Sequence, residues 1–349
     1  MPFMLSLTGR IHSRWSEHSA PERVHYVAVV GPRERASKVA QQLSEAVGER
    51  VQVTIVSDVL LSGGAANNPD AKAVSLESLI GLVRKGCIQR ILLATPLQDH
   101  KRTAAILERL QGLAVDVDHV LDDFTKLPDR QNRSPDGVCT VPVMRKPLSP
   151  MQGAIKSGFD RIGATLLLVL TGPLMLCVAL MVKLSSPGPV FFRQQRFGLN
   201  NEIFEVFKFR TLYHHRADLS AQQPVERNDV RITPIGKFLR ALSIDELPQL
   251  LNVLKGNMSL IGPRPLPLGL RVEGRLCSDF PRYAARHRMR PGITGLAQIK
   301  GWRGGMDVRG KLEKRLEWDL EYIEQYSLAL DARILIGTAI ALLRPTNAY

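Results

Sequence analysis

Cysteine is scarce in this chain. The four cysteines (Cys87, Cys139, Cys177, Cys277) among 349 residues lie far apart and form no CxxC pair. A disulfide scaffold or a cysteine-rich zinc module is thereby excluded, and the usage suits a reducing compartment. Internal repeats and low-complexity tracts are also lacking. Acidic residues are too few to balance the basic ones: 33 Asp plus Glu face 47 Lys plus Arg, a formal charge of +14. Such an excess points to an anionic partner, whether nucleic acid, a phosphorylated ligand or lipid headgroups. Hydrophobic residues at 44% and charged residues at 23% are ordinary globular values, which excludes disorder or a collagen-like fibre for the bulk. The length suggests two domains, each with enough apolar material for a core.

The first 22 residues carry no positively charged leader ahead of a long apolar run, and are read as a tail, not a signal peptide. A long apolar run does occur further on, from Ile162 to Val182 and free of charge, bracketed by Arg161 and Lys183. It is long enough to cross a hydrocarbon core as a helix. Basic residues flank it on both sides, Lys156 and Arg161 before and Lys183, Arg193 and Arg196 after. A single pass would leave one cluster on the disfavoured face. Pro173, after Thr171 and Gly172, removes a backbone donor and kinks a helix. A re-entrant helix over about 160–184, entering and leaving on one face, satisfies both observations and is favoured over a straight span. Thr171 or buried protein would then satisfy the freed carbonyls. A second apolar run, Ile334 to Leu343, is too short to span and reads equally as a core or an interfacial helix.

Before this run, strands at 24–30, 51–56 and 90–94 alternate with helical stretches near 34–47, 76–84 and 101–113, and 115–121 reads as a fourth strand. Alternation of this kind implies βαβ units and a parallel sheet. Its first turn, Gly31-Pro32-Arg33-Glu34, holds only the first glycine of a dinucleotide-binding loop, so a structural or regulatory domain is the plainer reading. Residues 125–153 have linker composition, with one short strand at 138–143.

The C-terminal half concentrates the chemistry. Ser185-Ser186-Pro187-Gly188-Pro189 forces a sharp turn before Phe191, Phe192 and Arg193, a grouping suited to a lipid–water interface or to a strand. Lys208 and Arg210 fall on one side of an extended segment by the period of two. In Ser243-Ile-Asp245-Glu246-Leu247-Pro248, followed by Leu250, Leu251 and Leu254, the leucines follow helical spacing. Two local readings stand. Ser243 and Glu246 form a capping box, or the helix starts at Leu247 with Pro248 in its first turn and both carboxylates on its lip. In either, the dipole should keep a carboxylate ionised. Gly262-Pro263-Arg264-Pro265 is a stiff basic loop. Arg282, Arg286, Arg288 and Arg290 precede a second, Pro291-Gly292-Ile293-Thr294-Gly295, and the arginine fork suits phosphate oxygens.

Together the Lys183–Arg196 turn, Lys208-Phe-Arg-Thr211, Ser243–Leu250, Gly262–Pro265, Arg290–Gln298 and the final Asn347-Ala348-Tyr349 resemble the bacterial sugar transferases, the monotopic polyprenyl-phosphate phosphoglycosyl transferase family. The resemblance covers about residues 154–349, with motif order and spacing both in agreement. It implies an α/β protein: an N-terminal tail at 1–22, a Rossmann-like parallel-sheet domain at 23–124, a linker at 125–153, and a mainly helical, membrane-associated catalytic domain at 154–349. Long forms of the family place four transmembrane helices before the Rossmann-like domain, and this sequence shows none. The implied reaction moves a hexose 1-phosphate from a UDP-sugar to undecaprenyl phosphate and releases UMP, the first membrane step of exopolysaccharide, capsule or O-antigen synthesis. The nucleophile of the family maps to Asp245. Glu246, with Asp245, would help hold Mg²⁺, and Lys208, Arg210, Arg240, Arg264 and Arg290 would contact phosphate or substrate. Gly301–Gly305 and the C-terminal tripeptide look closest to the glucose members, with galactose and N-acetylated donors as alternatives. Implied surroundings are inner-membrane lipids on the cytoplasmic face; no nucleic acid is implied, and a homodimer is left open.

Three rival classes stand beside this reading. A non-enzymatic membrane-surface sensor explains the charge and the apolar run but not Asp245-Glu246 among stiffened arginine loops. A nucleic-acid binder explains only the charge. A nicotinamide-dependent sugar-modifying enzyme would need the glycines missing around Gly31. The His214-His215 pair and Trp318 carry no assigned role beyond packing or surface.

Overall fold

The computed structural model describes residues 25–47, 51–57, 75–121, 138–216, 218, 229–302 and 309–343. The expected N-terminal tail, much of the linker, Arg303–Gly305 and the terminal Asn347-Ala348-Tyr349 lie outside them.

The alternating N-terminal half forms β1 (His25–Gly31), α1 (Arg33–Val47), β2 (Val51–Ser57), α2 (Leu76–Arg84), β3 (Arg90–Leu93), α3 (His100–Leu110) and β4 (Asp116–Val120). The first four strands are parallel, in the order β2-β1-β3-β4. Buried Val, Ile and Leu cover both faces of the sheet, as a parallel sheet between helices requires. The strand expected within the linker is β5 (Thr140–Met144), which closes the sheet antiparallel to β4. Gly31 has a packing reason: a Cβ there would come 2.8 Å from the Ala94 backbone.

The apolar run belongs to α4 (Pro150–Ser185), which starts earlier than the run itself. Its start carries a capping box: the Ser149 hydroxyl accepts from Gln152 N at 3.2 Å and the Gln152 side chain accepts from Ser149 N at 2.9 Å. It is one helix across Gly172 and Pro173, long and apolar enough to cross a membrane. Thr171 Oγ donates to Leu167 O at 2.7 Å. The carbonyl deprived of its helical donor by Pro173 is that of Val169, so Thr171 does not take the role expected of it.

Both ends of α4 rest on the C-terminal half. Near its start, Lys156 Nζ pairs with Asp331 at 2.7 Å and Asp160 accepts from Ser259 Oγ and Leu260 N. Near its end, Val178 and Val182 pack with Phe209 and Leu239. Between them Leu166, Val169, Leu170 and Leu176 face outward.

The rest of that half comprises the hairpin β6 (Phe191–Phe197) and β7 (Ile203–Phe209), α5 (Pro234–Ala241), α6 (Gln249–Leu254) and β8 (Ser259–Ile261). It continues through the small ribbon β9 (Arg271–Val272) and β10 (Arg275–Leu276), then β11 (Gly292–Thr294), α7 (Leu296–Ile299), α8 (Arg309–Glu324) and α9 (Leu328–Leu343). The second apolar run lies in α9, where Ile334 is buried while Leu335, Ile336 and Ile340 are exposed. The Ile334 side thus meets the core expectation, while the exposed apolar side chains lie on the rest of the helix.

Candidate active site

Asp245 and Glu246 sit in a single 3₁₀ turn, Ile244–Glu246, between α5 and α6. The capping-box reading fails here, because Ser243 is left-handed (φ 58°) and its side chain caps nothing. α6 begins only at Gln249, with Pro248 just ahead of it, which leaves both carboxylates on the lip. Asn252 of α6 fixes this turn against the hairpin. Its side chain donates to Glu205 O at 2.6 Å and accepts from Phe207 N at 3.0 Å, imitating a neighbouring strand. Lys208, next along β7, is thereby delivered to Glu246, with Nζ 2.9 Å from Oε1.

Arg264 arrives from the other side. The turn after β8 packs backbone on backbone against the turn before β11, where a Cβ on Gly292 would lie 2.1 Å from Gly262 N. The glycines flanking the two stiff loops therefore allow their crossing, and the crossing aims Arg264. Arg264 Nη1 donates to Glu246 Oε2 at 2.7 Å and Nη2 donates to Oε1.

The neighbouring carboxylates consequently differ. Burial alone would raise Glu246, but Arg264 and Lys208 outweigh it and hold the group well below the usual range. Burial raises Asp245, assisted by the negative Glu246 and opposed by Lys208, Arg240 and Arg264. The expectation of a carboxylate kept ionised by the helix dipole thus fits Glu246 for another reason, and Asp245 goes the opposite way. Among the described residues the Asp245 carboxylate accepts no hydrogen bond, while three cations, Lys208, Arg240 and Arg264, act on it through their charge.

The structure thus gathers Asp245, Glu246, Lys208, Arg240 and Arg264. Arg210 is directed elsewhere. β7 ends at Phe209, so the period of two that placed Arg210 beside Lys208 stops one residue short. The buried Arg210 guanidinium donates to Ser186 O at 2.6 Å, Val182 O at 3.1 Å and Pro187 O at 2.9 Å, closing the end of α4. Arg290 donates to Ser157 Oγ at 2.7 Å and lines a separate cavity of about 340 Å³ with Lys146, Lys156 and Asp160.

An apolar cavity of about 310 Å³ leads to Glu246 from α4 and α9, lined by Leu167, Thr171, Leu250, Ile293 and Leu335. Sequence reasoning leaves out the buried Arg315 and Asp319, notes Arg196 only as a charge flanking the apolar run, and notes Arg286 only as part of a basic loop. The polar character of α8 hid two of them: an Arg and an Asp four apart on a charged helix read as an exposed pair.

A family model described as bacterial sugar transferase matches residues 151–345. A relative from Escherichia coli (strain K12), named UDP-glucose:undecaprenyl-phosphate glucose-1-phosphate transferase, is 39% identical over 277 residues, 79% of this chain and 58% of its own. One from Komagataeibacter xylinus, named undecaprenyl-phosphate glucose phosphotransferase, is 37% identical over 326 residues, 93% of this chain and 60% of its own. The exopolysaccharide production protein PSS of Rhizobium leguminosarum bv. phaseoli is 44% identical over 192 residues, 55% of this chain and 96% of its own. The chain thus spans up to 60% of the length of the first two relatives.

Proposed function

The chain belongs to the bacterial sugar transferases, and on that premise we propose that it transfers a hexose 1-phosphate, glucose 1-phosphate first among them, from a UDP-sugar to undecaprenyl phosphate. The observation that carries this reading is Asp245: a carboxylate with no hydrogen bond among the described residues, beside a Glu246 already engaged by Lys208 and Arg264. An Asp245 oxygen attacks the β-phosphorus of the donor. The bond from that phosphorus to the bridging oxygen breaks, and UMP departs with the electron pair. The aspartyl-phosphosugar is then attacked by an oxygen of undecaprenyl phosphate, which regenerates the carboxylate and yields the lipid-linked diphosphate sugar. Two displacements let one site serve a soluble donor and a lipid acceptor in turn. Lys208, Arg240 and Arg264 offset the charge that otherwise opposes an anion attacking an anion.

Mg²⁺ is compatible with this donor set. Three of the roughly four lone-pair sites on Glu246 are taken by Lys208 and Arg264, leaving about one for a metal. Among the described residues no cluster of three ligating side chains exists. The ion would therefore be held largely by substrate phosphates, as magnesium usually is at such sites. When bound it neutralises charge on the diphosphate.

The same proposal covers the membrane and the first half. We read α4 as re-entrant because both of its ends touch the C-terminal half, which a straight span would place on opposite sides of the bilayer. The site then lies at the cytoplasmic face of the inner membrane, with the apolar cavity beside Glu246 receiving the isoprenoid chain of the acceptor. The N-terminal sheet is read as Rossmann-like from its strand order. The test is UMP release by detergent-solubilised protein given undecaprenyl phosphate, Mg²⁺ and each UDP-sugar in turn. UDP-glucose should support turnover and Asp245→Asn should abolish it; undiminished turnover by that variant would remove Asp245 as nucleophile.

A further inference from the structure

Behind Arg264 lies a second layer of charge. Arg286, 1% exposed, donates to Arg264 O at 2.5 Å and to Asp319 at 2.6 Å. Arg196 donates to Pro265 O at 3.0 Å. Arg315 of α8, 2% exposed, stands one helical turn before Asp319. Among the described residues, these three arginines carry buried nitrogens without a partner: Nε of Arg196, Nε and Nη1 of Arg286, and Nε and Nη2 of Arg315. Buried donors are ordinarily paired, so five orphans on three neighbouring arginines call for an explanation.

The charge balance supplies one. Among the described residues, five cations (Arg196, Lys208, Arg264, Arg286 and Arg315) face three acids (Asp245, Glu246 and Asp319), and Arg240 adds a sixth beside Asp245. The surplus lies in a poorly solvated place. Burial, with help from Arg264, lowers Arg196 to about 9, and burial, with help from Arg286 and Arg264, lowers Arg315 to about 10. A protein gains nothing in stability from buried, uncompensated charge, but a dianion arriving at the exposed edge of the cluster would meet a field already in place.

We infer that Arg196, Arg286 and Arg315 form a buried positive reservoir that selects a doubly charged phosphate group, the diphosphate of a nucleoside diphosphate sugar, at the face presented by Arg264 and Lys208. The inference rests on the transferase reading above and names the residues that set its donor affinity. Arg286 and Arg196 are positioning residues, since they hold the consecutive carbonyls of Arg264 and Pro265. Arg315 acts through its charge, because none of its nitrogens makes a hydrogen bond among the described residues.

Arg315→Met keeps the volume and removes one buried charge, so stability and binding should move in opposite directions. Full-chain protein in detergent is titrated calorimetrically with UDP, melted, and assayed for UMP release. The melting temperature should rise, UDP affinity should fall about tenfold, and the donor KM should rise in proportion while kcat stays within about twofold. Arg315→Lys should restore UDP affinity. Unchanged UDP affinity in Arg315→Met would overturn the inference, and so would a lower melting temperature with kcat lost in step. An increased KM for undecaprenyl phosphate with UDP affinity intact would assign the field to the acceptor instead and equally overturn it. If Arg315→Met does not fold, Arg196→Met takes its place, with loss of UDP affinity expected and retention overturning. A wild-type chain that neither binds UDP nor releases UMP would sink the transferase reading as well. An active wild type with an insensitive variant would sink this inference alone.

Discussion

Two adjacent carboxylates behave as opposites because of what reaches them. Glu246 receives Lys208 and Arg264 directly, whereas Asp245 is buried without a hydrogen-bond partner among the described residues. The native state therefore favours the protonated form of Asp245: its folded pKa lies above the unfolded one, and above both the ionised group costs stability. Asp245→Asn should melt higher than wild type at pH 7. Glu246→Gln should melt lower, by roughly 1–3 kcal/mol, because two partly buried cations lose their counter-charge. Thermal melts of both variants in one detergent check the split, and a fall in both would refute it. The same shift sets the pH dependence. A nucleophile must be ionised, so kcat/KM for the donor rises with pH through a midpoint above the ordinary aspartate range. Arg240 lowers Asp245, so Arg240→Gln should move that acid limb upward. A limb that stays put would show that another group controls it. The motifs made Asp245, Glu246, Lys208, Arg240 and Arg264 legible in the sequence. They could not say which way an arginine turns. Arg210 was grouped with Lys208 by strand periodicity, but the strand stops at Phe209. Arg290 was grouped by loop chemistry, but it meets Ser157 at the foot of α4.

At the level of elements, periodicity and punctuation carried most of the reading. The N-terminal strands and helices fall within a few residues of their expected places, because each is a short apolar run bounded by turn residues. The start of α4 carries a local signal that linker composition masks: Ser149 with Gln152 three residues on, and Pro150 in the first turn, spell a helix start. What no local pattern gives is the path of α4 relative to the rest of the chain. The pairing of Lys156 with Asp331 at one end and the packing of Val182 on Phe209 at the other are long-range contacts. They carry a topological prediction. Met151→Cys and Leu184→Cys, each introduced after Cys87 and Cys177 are replaced by Ser, should react with a membrane-impermeant thiol reagent from the same side of oriented vesicles. Both are well exposed in the fold, at 73% and 77%. Reaction from opposite sides would establish a straight span and end the re-entrant reading.

At the level of the whole chain, the two halves meet at the turn of the β6–β7 hairpin. Arg84 of α2 donates to the carbonyls of Asn200 at 3.0 Å and Asn201 at 3.4 Å, and the Asn200 side chain accepts from Ala114 N at 2.7 Å. Both asparagines are left-handed, at φ 56° and 59°, a conformation in which asparagine is tolerated better than most side chains. This turn is the far end of the strand that carries Lys208 to Glu246. Still, the register of β7 is fixed locally, by the full pairing with β6 and by Asn252 of α6. The groups that surround Asp245 all come from residues after α4. A chain beginning at Arg145, which removes the whole five-stranded sheet and keeps the cap of α4, should therefore fold and retain UMP release, with kcat/KM within about tenfold of the full chain. Its melting temperature should fall by a few degrees, as the Asn200 turn loses Arg84 and Ala114 and the seam around Leu199 and Met289 opens to water. Folded but inactive protein would mean that Arg84, acting through the hairpin, sets the position of Lys208. In that case Arg84→Ala in the full chain should reproduce the loss, which separates a mechanical coupling from a requirement for the sheet itself.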